Sequence, residues 1–379
     1  ETLGADVDSL KGASHGVVMP NEPRAKALLE TLCIPHTVED GFISLGEEAI
    51  ILVACLGLGK PLSRKVSGNA LEAARAAAGF PILARGGTFI GARMGRPEKA
   101  KRREMRPVVN CLFPLGLVGG PRRNIAEAAK STVVVEVELV RRRCRNCGEL
   151  THQNLCPRCG RRTEIEPVCP KCGRIVPQGP CPACRIRCLP YDRRTVSLSE
   201  IWTAASKKLQ LTEEPDVVKG VKGLTSGSRC AEYLEKGILR ARHDLSMFKD
   251  GTVRFDGTNA PLTHFKASEV GVEVETLRNL GYSSDLVGVP LKSKDQCCSL
   301  MIHDIIVPEQ CGEYFVRVAK FVDELLQGLY GLPPFYHVKT RQDLVGHLVV
   351  GLSPHTSVGV IGRVIGFTKA SVCFAHPFW

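Results

Sequence analysis

Residues 144–184 read CRNCGELTHQNLCPRCGRRTEIEPVCPKCGRIVPQGPCPAC and contain four Cys-x-x-Cys pairs. Eight residues separate the first pair from the second, and eight separate the third from the fourth. This repeated gap predicts two copies of one unit, each of which brings four thiols to one metal ion. The eight predicted ligands are Cys144, Cys147, Cys156, Cys159, Cys169, Cys172, Cys181 and Cys184.

The ligand chemistry favours zinc at these positions. Two thiolates of one tight turn reach the same ion, and a glycine directly after the second cysteine (Gly148, Gly160 and Gly173) permits the positive φ that such a turn favours. Four thiolates in tetrahedral geometry fit zinc in a closed structural site, whereas iron would accept the same ligands. Ordinary buried cysteines are the remaining alternative. We expect neighbouring pairs, not crossed pairs, to share an ion, and Cys188 is either an unused thiol or a substitute ligand.

The cysteine module is strongly basic. Residues 140–194 carry 13 Lys and Arg and four Asp and Glu, a formal charge of +9. Two tetrathiolate zinc sites would lower this charge to about +5. We predict that Arg141, Arg142 and Arg143, at the entrance of the module, contact a nucleic-acid backbone. The alternative is a solvated basic surface on a structural metal site.

A second basic segment, Arg93–Arg106, reads RMGRPEKAKRREMR and carries seven basic residues against Glu98 and Glu104. Lys99 and Arg103 share a face whether the segment is a strand or a helix. Such a face can hold phosphates and neutralise the charge of a transferring phosphoryl group. The alternative is a solvated face, but the flanking glycines and the apolar run after it favour a fixed position. The candidate DNA- or nucleotide-binding residues of this segment are Arg93, Arg96, Arg102 and Arg103.

The bulk properties set limits on the class of protein. The 379 residues carry a net charge of +12 with a pI of about 9.0, which predicts an acidic partner: nucleic acid, an anionic membrane surface or an acidic protein. No apolar run approaches the roughly 18–20 residues of a membrane span, and no secretory signal is recognisable. Nine of the 17 cysteines fall between Cys144 and Cys188, and the scattered remainder favours a reducing cytosol over a disulfide framework. The chain begins at Glu1 and stops at Trp379 within an apolar stretch, so we expect an internal piece of a longer protein.

Apolar periodicity predicts a mixture of helices and strands. The predicted helices are Ala25–Leu32, Ala70–Ala78, Ser199–Leu209 and Tyr314–Tyr330; the predicted strands are Ala49–Cys55, Val108–Phe113 and Ser131–Val140, with a hairpin at Phe248–Phe255 and a closed sheet within Val345–Phe374. The C-terminal part also carries His347, His355, Arg363 and His376, a weaker constellation. No pair of carboxylates suited to two-metal phosphoryl transfer is evident in the sequence.

At several stretches the chain resembles the large subunit of the family D DNA polymerases of archaea. They include TFIGARMGRPEKAKRREMRPVVNCLFPLGLVGG (88–120), FKDGTVRFDGTNAPLTHF (248–265) and GHLVVGLSPHTSVGVIGRVIGF (346–367), and the similarity runs in order through nearly the whole chain. The resemblance implies a multidomain α+β fold with a core of two double-psi β-barrels, as in multisubunit RNA polymerases, and inserted zinc ribbons. The expected regions are a first barrel at 1–139, two zinc modules at 140–194, a clamp-like α+β region at 195–312 and the start of a second barrel at 313–379.

The resemblance also implies an activity and its partners. It implies template-directed nucleotidyl transfer in DNA replication, with a DNA primer-template, deoxynucleotides, magnesium and a small 3′–5′ exonuclease subunit, near the nucleoid in the cytoplasm. It also implies Lys99 and Lys101 as the candidate catalytic residues, which would contact phosphate or nucleotide near the catalytic centre. The family's magnesium-binding aspartates follow the AHP segment, so we expect them beyond Trp379 and this stretch alone to be inactive. The alternatives are a non-catalytic nucleic-acid-binding zinc protein and an iron–thiolate redox protein.

Overall fold

The computed structural model describes residues 17–31, 34–46, 49–57, 69–80, 82, 90–95, 105–131, 134–352 and 359–378. The chain divides into two compact units, Glu1–Gly86 and Gly87–Trp379. The helices and strands together confirm a mixed α and β fold. None of the helices within these ranges is long and apolar enough to cross a membrane.

The first unit is a small sheet with helices. Its elements are β1 (Val17–Pro20), α1 (Pro23–Thr31), β2 (Thr37–Glu39), β3 (Phe42–Leu45), α2 (Ala49–Leu56) and α3 (Ala70–Ala78). The three strands are antiparallel in the order β1-β3-β2. Met19, Leu29 and Ile43 form the centre of its core. The helix at Ala70–Ala78 is confirmed, and Asn69 caps it by accepting a hydrogen bond from the Glu72 amide at 3.0 Å.

The strand predicted at Ala49–Cys55 is wrong, because this stretch is the helix α2. Its eight residues, AIILVACL, are uniformly apolar, so they carry neither the period of a strand nor that of a helix. The strand predicted at Val108–Phe113 is also wrong. That stretch has no strand assignment, and the amides of Asn110 and Cys111 both donate to the Lys219 carbonyl, at 2.8 and 3.1 Å.

The second unit contains the remaining elements. In order they are β4 (Gly91–Gly95), α4 (Ile125–Lys130), β5 (Val134–Val140), β6 (Arg142–Cys144), β7 (Leu150–Thr151), β8 (Thr163–Ile165), β9 (Tyr191–Ser197), α5 (Leu198–Lys208), α6 (Leu234–Arg242), β10 (Phe255–Pro261), β11 (His264–Lys266), α7 (Ala267–Val270), α8 (Val274–Asn279), β12 (Cys297–Ser299), β13 (Asp304–Pro308), α9 (Glu309–Leu325), β14 (Leu348–Leu352), β15 (Gly359–Thr368) and β16 (Cys373–Ala375). A π-helical turn, Leu326–Tyr330, extends α9, and a 3₁₀ turn, Gln342–Leu344, precedes β14.

Six strands of this unit close into a barrel in the order β10-β16-β13-β15-β14-β4. β4 completes the ring, because it pairs in parallel with both β14 and β10. The closed sheet predicted within Val345–Phe374 is confirmed as three of these strands. The barrel also takes strands from the regions 1–139 and 195–312, and the four domain boundaries drawn from the sequence stay a prediction.

Helix α9 packs against the barrel and shares its main core. Phe315 and Ala319 of the helix are fully buried with Val349 of β14 and Val364 of β15. The approach is close at Gly312, where a Cβ atom would lie 2.6 Å from a ring carbon of Phe367. The predicted helix over Tyr314–Tyr330 is confirmed as the later part of α9 and its π-helical turn, which ends at Gly331 with φ 64°.

A buried ion pair joins two neighbouring barrel strands. Asp304 of β13, only 1% exposed, accepts two hydrogen bonds of 2.7 Å from the Arg363 guanidinium of β15. The Tyr282 hydroxyl donates to the same carboxylate. Bidentate arginine–carboxylate geometry with a further donor is the arrangement in which a buried charge is well compensated.

We expect Arg363→Met to lower the free energy of unfolding of the second unit by about 3–5 kcal/mol, because it leaves the Asp304 carboxylate buried without its cation. Tyr282→Phe removes one hydrogen bond to a charged acceptor and should cost about 1.5–3 kcal/mol. Urea titrations followed by circular dichroism measure both. The control is Lys294→Met, which removes an exposed ion pair with Glu273 and should cost under about 1 kcal/mol. Equal midpoints for Arg363→Met and the control would show that the buried pair does not hold the barrel.

Candidate metal centres and basic surface

Two antiparallel strands carry the cysteine module, and we call β5 and β9 its stem. They pair over seven residues, from Val134 opposite Ser197 to Val140 opposite Tyr191. The predicted strand Ser131–Val140 is therefore confirmed over Val134–Val140. It alternates because Val135, Val137 and Leu139 enter a core shared with α4, α5 and α6. Ser197 caps α5 by accepting from the Glu200 amide at 3.4 Å, which confirms the predicted helix there.

The first four cysteines form one cluster. The ligand atoms of Cys144, Cys147, Cys156 and Cys159 all lie within 4.8 Å of one another. The Sγ atoms of Cys144 and Cys159 are 3.5 Å apart, as are those of Cys147 and Cys156. Sulfurs bound tetrahedrally to one zinc ion at its usual bond length would be about 3.8 Å apart. The cluster therefore has the donor set and the dimensions that could hold such an ion.

The second cluster repeats the first. The ligand atoms of Cys169, Cys172, Cys181 and Cys184 also lie within 4.8 Å of one another, with 3.6 Å between the Sγ atoms of Cys172 and Cys181. Neighbouring pairs share a cluster, as predicted from the repeated gap. Cys188 is buried against the second cluster but is not one of its four converging thiols. Among the described residues, these two clusters are the only groups of three or more potential metal ligands of this kind.

The turns of the cysteine pairs share one backbone geometry. In the first three turns the residue after the second cysteine is glycine, with φ of 74° at Gly148, 69° at Gly160 and 70° at Gly173. Each glycine amide donates to the carbonyl of the first cysteine at 2.9 Å. This confirms the role predicted for these glycines. The fourth turn places Arg185 at the same point, with φ 56°, a conformation that costs a non-glycine residue free energy.

The three arginines at the entrance of the module make contacts within the chain. Arg141 donates to Glu166 and to Asp192, each at 2.9 Å, and Arg143 also donates to Glu166. The hydrogen bond from Arg143, aided by Arg141, holds the pKa of the Glu166 carboxyl below its ordinary value. Arg142 donates to the Thr163 carbonyl at 3.1 Å. These contacts join the stem to the first cluster, and a role of the arginines in binding DNA stays a prediction.

Of the second basic segment, the structure describes only the two ends. Arg96, Lys99, Lys101, Arg102 and Arg103 lie outside the described residues. Arg93 lies on β4 opposite Asp256 of β10, with 3.8 Å between its Nη1 and the carboxylate Oδ2. Arg254 donates to the same carboxylate at 3.2 Å. The barrel wall therefore pairs Arg93 internally, and β4 ends at Gly95, within the first residues of the segment.

The C-terminal constellation does not converge on one site. His347 packs against the Tyr336 ring, with 5.7 Å between centroids, and Arg363 binds Asp304. His376 contacts the Phe378 ring, and His355 lies outside the described residues. Sequence reasoning missed the exposed cations on the outer cysteine turns, among them Arg158, Arg161, Lys171 and Arg174. The repeated hexapeptides CPRCGR and CPKCGR (156–161 and 169–174) were the available signal.

Comparison with known proteins gives consistent matches along the chain. The family model of the DNA polymerase II large subunit DP2, central domain, matches residues 3–178, and that of the catalytic domain of the same subunit matches residues 211–379. The chain is 44% identical to the DNA polymerase II large subunit of Pyrococcus abyssi over 94% of its own length and 25% of that protein. It is 46% identical to the large subunit of Methanoculleus marisnigri over 96% of the chain and 29% of that protein.

The match to the large subunit of Methanocella arvoryzae is similar, at 44% identity over 95% of the chain and 33% of that protein. The chain thus spans about a quarter to a third of the length of these relatives. Two domain models of one subunit match successive parts of the sequence, and the first match ends within the cysteine module. The chain belongs to the family of archaeal DNA polymerase II large subunits, the family D DNA polymerases.

Proposed function

We propose that the protein containing this chain is the large, catalytic subunit of a replicative DNA-directed DNA polymerase of family D. The observation that carries this proposal is the similarity of 42–46% identity to eight such subunits over at least 93% of the chain. Its substrates would be a DNA primer-template and deoxynucleotides. A small 3′–5′ exonuclease subunit would be its partner, in the cytoplasm near the nucleoid, and magnesium its catalytic ion.

We infer that the closed barrel of β4, β10, β13, β14, β15 and β16 is one of two double-psi barrels in the intact enzyme. The ring of six strands and its parallel pairs support this fold assignment. The barrel strand β4 ends at Gly95, so the rest of the basic segment follows directly after a strand of the barrel wall. Lys99 and Lys101 would then meet the phosphates of the primer or the incoming nucleotide, with Arg96, Arg102 and Arg103 beside them. Fixed cations at such a place stabilise the charge of the transferring phosphoryl group.

We also propose that zinc fills both thiol clusters in a structural role. Four thiolates leave no open coordination position, so each ion would hold the fold of the module and take no part in nucleotidyl transfer. Most residues of the module are exposed or half-buried, and its buried residues are mainly the cysteines. It therefore has almost no hydrophobic core of its own. Small modules of this kind depend on their metal for stability.

Primer extension tests the catalytic proposal. We expect Lys99→Ala and Lys101→Ala, in the full-length protein with its small subunit, to reduce the extension rate on gapped duplex about 10²–10³-fold, as the loss of one preorganised charge contact does. DNA affinity should fall far less than the rate. Arginine at either position should retain more of the rate than alanine, and Lys249→Ala, which removes an exposed lysine of the second unit, should extend as wild type does. A wild-type protein that binds DNA and never extends it would replace this proposal with a non-catalytic nucleic-acid-binding zinc protein.

Metal analysis tests the zinc proposal. We expect about two zinc ions per chain and no visible absorbance, whereas a thiolate-bound iron would colour the protein. Cys156→Ser and Cys181→Ser should each remove one ion, since each disrupts a different cluster. Cys188→Ser should retain both ions because its thiol lies outside the converging set. Loss of an ion in Cys188→Ser with full occupancy in Cys181→Ser would assign Cys188 as a ligand instead.

A further inference from the structure

Three of the four carboxylates of the cysteine module form ion pairs with arginines of the module itself. Glu166 and Asp192 form ion pairs with Arg141, and Glu164 forms one with Arg145. Glu149 is the remaining carboxylate of residues 140–194. Within the described part of the chain, no ion pair engages six exposed cations on the outer turns: Arg158, Arg161, Lys171, Arg174, Arg185 and Arg187. The module therefore presents positive charge that its own residues do not neutralise.

The cations recur at equivalent positions of two turns. The hexapeptides CPRCGR (156–161) and CPKCGR (169–174) have a cation before the second cysteine and an arginine after the glycine. The backbones match: the first cysteine donates to the carbonyl of that arginine at 2.8 Å in one turn and 2.9 Å in the other. Arg158 and Lys171 thus leave the chain at the same point of the same turn. The two turns belong to different metal clusters.

Arg185 supports a role in binding. Its amide donates to the Cys181 carbonyl at 2.7 Å, so it occupies the place that glycine takes in the other three turns. The left-handed backbone at this point favours glycine, yet the residue is an exposed arginine. A strained residue that folding alone would not select indicates a function for its side chain.

We propose that these outer turns form a phosphate-binding surface that holds the backbone of duplex DNA next to the polymerase core. The proposal rests on the proposed function and specifies which residues contact the DNA. Phosphate binding requires cations on a surface and little shape complementarity. The two clusters expose cations at equivalent positions, and such a repeated arrangement matches the regularly spaced phosphates of DNA.

The test measures the binding of labelled primer-template DNA to the full-length protein across a range of salt concentrations. Fluorescence anisotropy compares wild type with the combined variant Arg158→Ala, Arg161→Ala, Lys171→Ala and Arg174→Ala. We expect affinity near 0.1 M salt to fall at least about tenfold, and the slope of log K against log salt to decrease by about 3–4, close to one per phosphate contact. Unchanged zinc content and denaturation midpoint establish that the variant is folded.

The matched control removes the same charge from elsewhere in the second unit. Lys207→Ala, Lys249→Ala, Lys320→Ala and Lys369→Ala together delete four exposed lysines. If both combined variants bind with the same affinity and the same salt slope, the effect is one of net charge and the surface is not a DNA site. If the combined variant of the outer turns binds DNA as wild type does but loses an associated protein subunit, the surface faces an acidic protein. Extension by wild type is scored separately, so the polymerase proposal can stand while this one fails.

A single substitution separates binding from folding. Arg185→Gly places the favoured residue at the left-handed position, so the denaturation midpoint should stay the same or rise. DNA affinity should nevertheless fall several-fold, with a decrease of about one in the salt slope. Unaltered affinity together with a raised midpoint would remove Arg185 from the site. A lowered midpoint would show that the arginine stabilises the turn, which is opposite to the expectation.

Discussion

The closure of the barrel by β4 is the constraint on which the second unit depends. Ala92 of this five-residue strand lies opposite Phe255 on one side and Gly351 on the other. Both pairings are parallel, and parallel neighbours require a crossover connection. The long stretch between β4 and β10, with the cysteine module and the helices α4 to α6, is therefore an excursion from the barrel wall. Contacts this distant in sequence form late and slowly in folding.

Two kinds of buried contact stabilise this stretch between β4 and β10. Near the stem, a hydrophobic core of α4, α5, α6 and β5 holds the chain, with Leu139, Trp202 and Ile238 buried in it. Farther out, the buried residues are mainly the cysteines themselves. Arginine–carboxylate pairs around Glu166 connect the two regions. The arginines at 141–143 therefore have a structural use, and within the described residues the six exposed cations of the outer turns have no ion pair.

The local features could be predicted from sequence, and the distant ones could not. Cysteine spacing and the glycines of the turns specify the two clusters because all of their determinants lie within a few residues. The helices at Ala70–Ala78 and Ser199–Leu209 could also be predicted, because their periodicity is local; the structure then showed Asn69 and Ser197 as their caps. The order of barrel strands depends on pairings between remote segments and left no periodic signal. Nothing in the sequence around residues 141–143 shows whether an arginine forms an ion pair within the chain or stays available to a ligand. The positions of Glu166 and Asp192 in the structure decide this.

The stem has a consequence for how such a protein can change. Val140 and Tyr191 are directly opposite each other, so the chain enters and leaves the cysteine module at adjacent points. The pairing of the stem does not depend on how many residues lie between these two, so the outer part of the module can be lengthened or shortened while the stem keeps its register. The part that contacts the helical core, where the ring of His152 lies against Phe113, is the part whose replacement would alter that core.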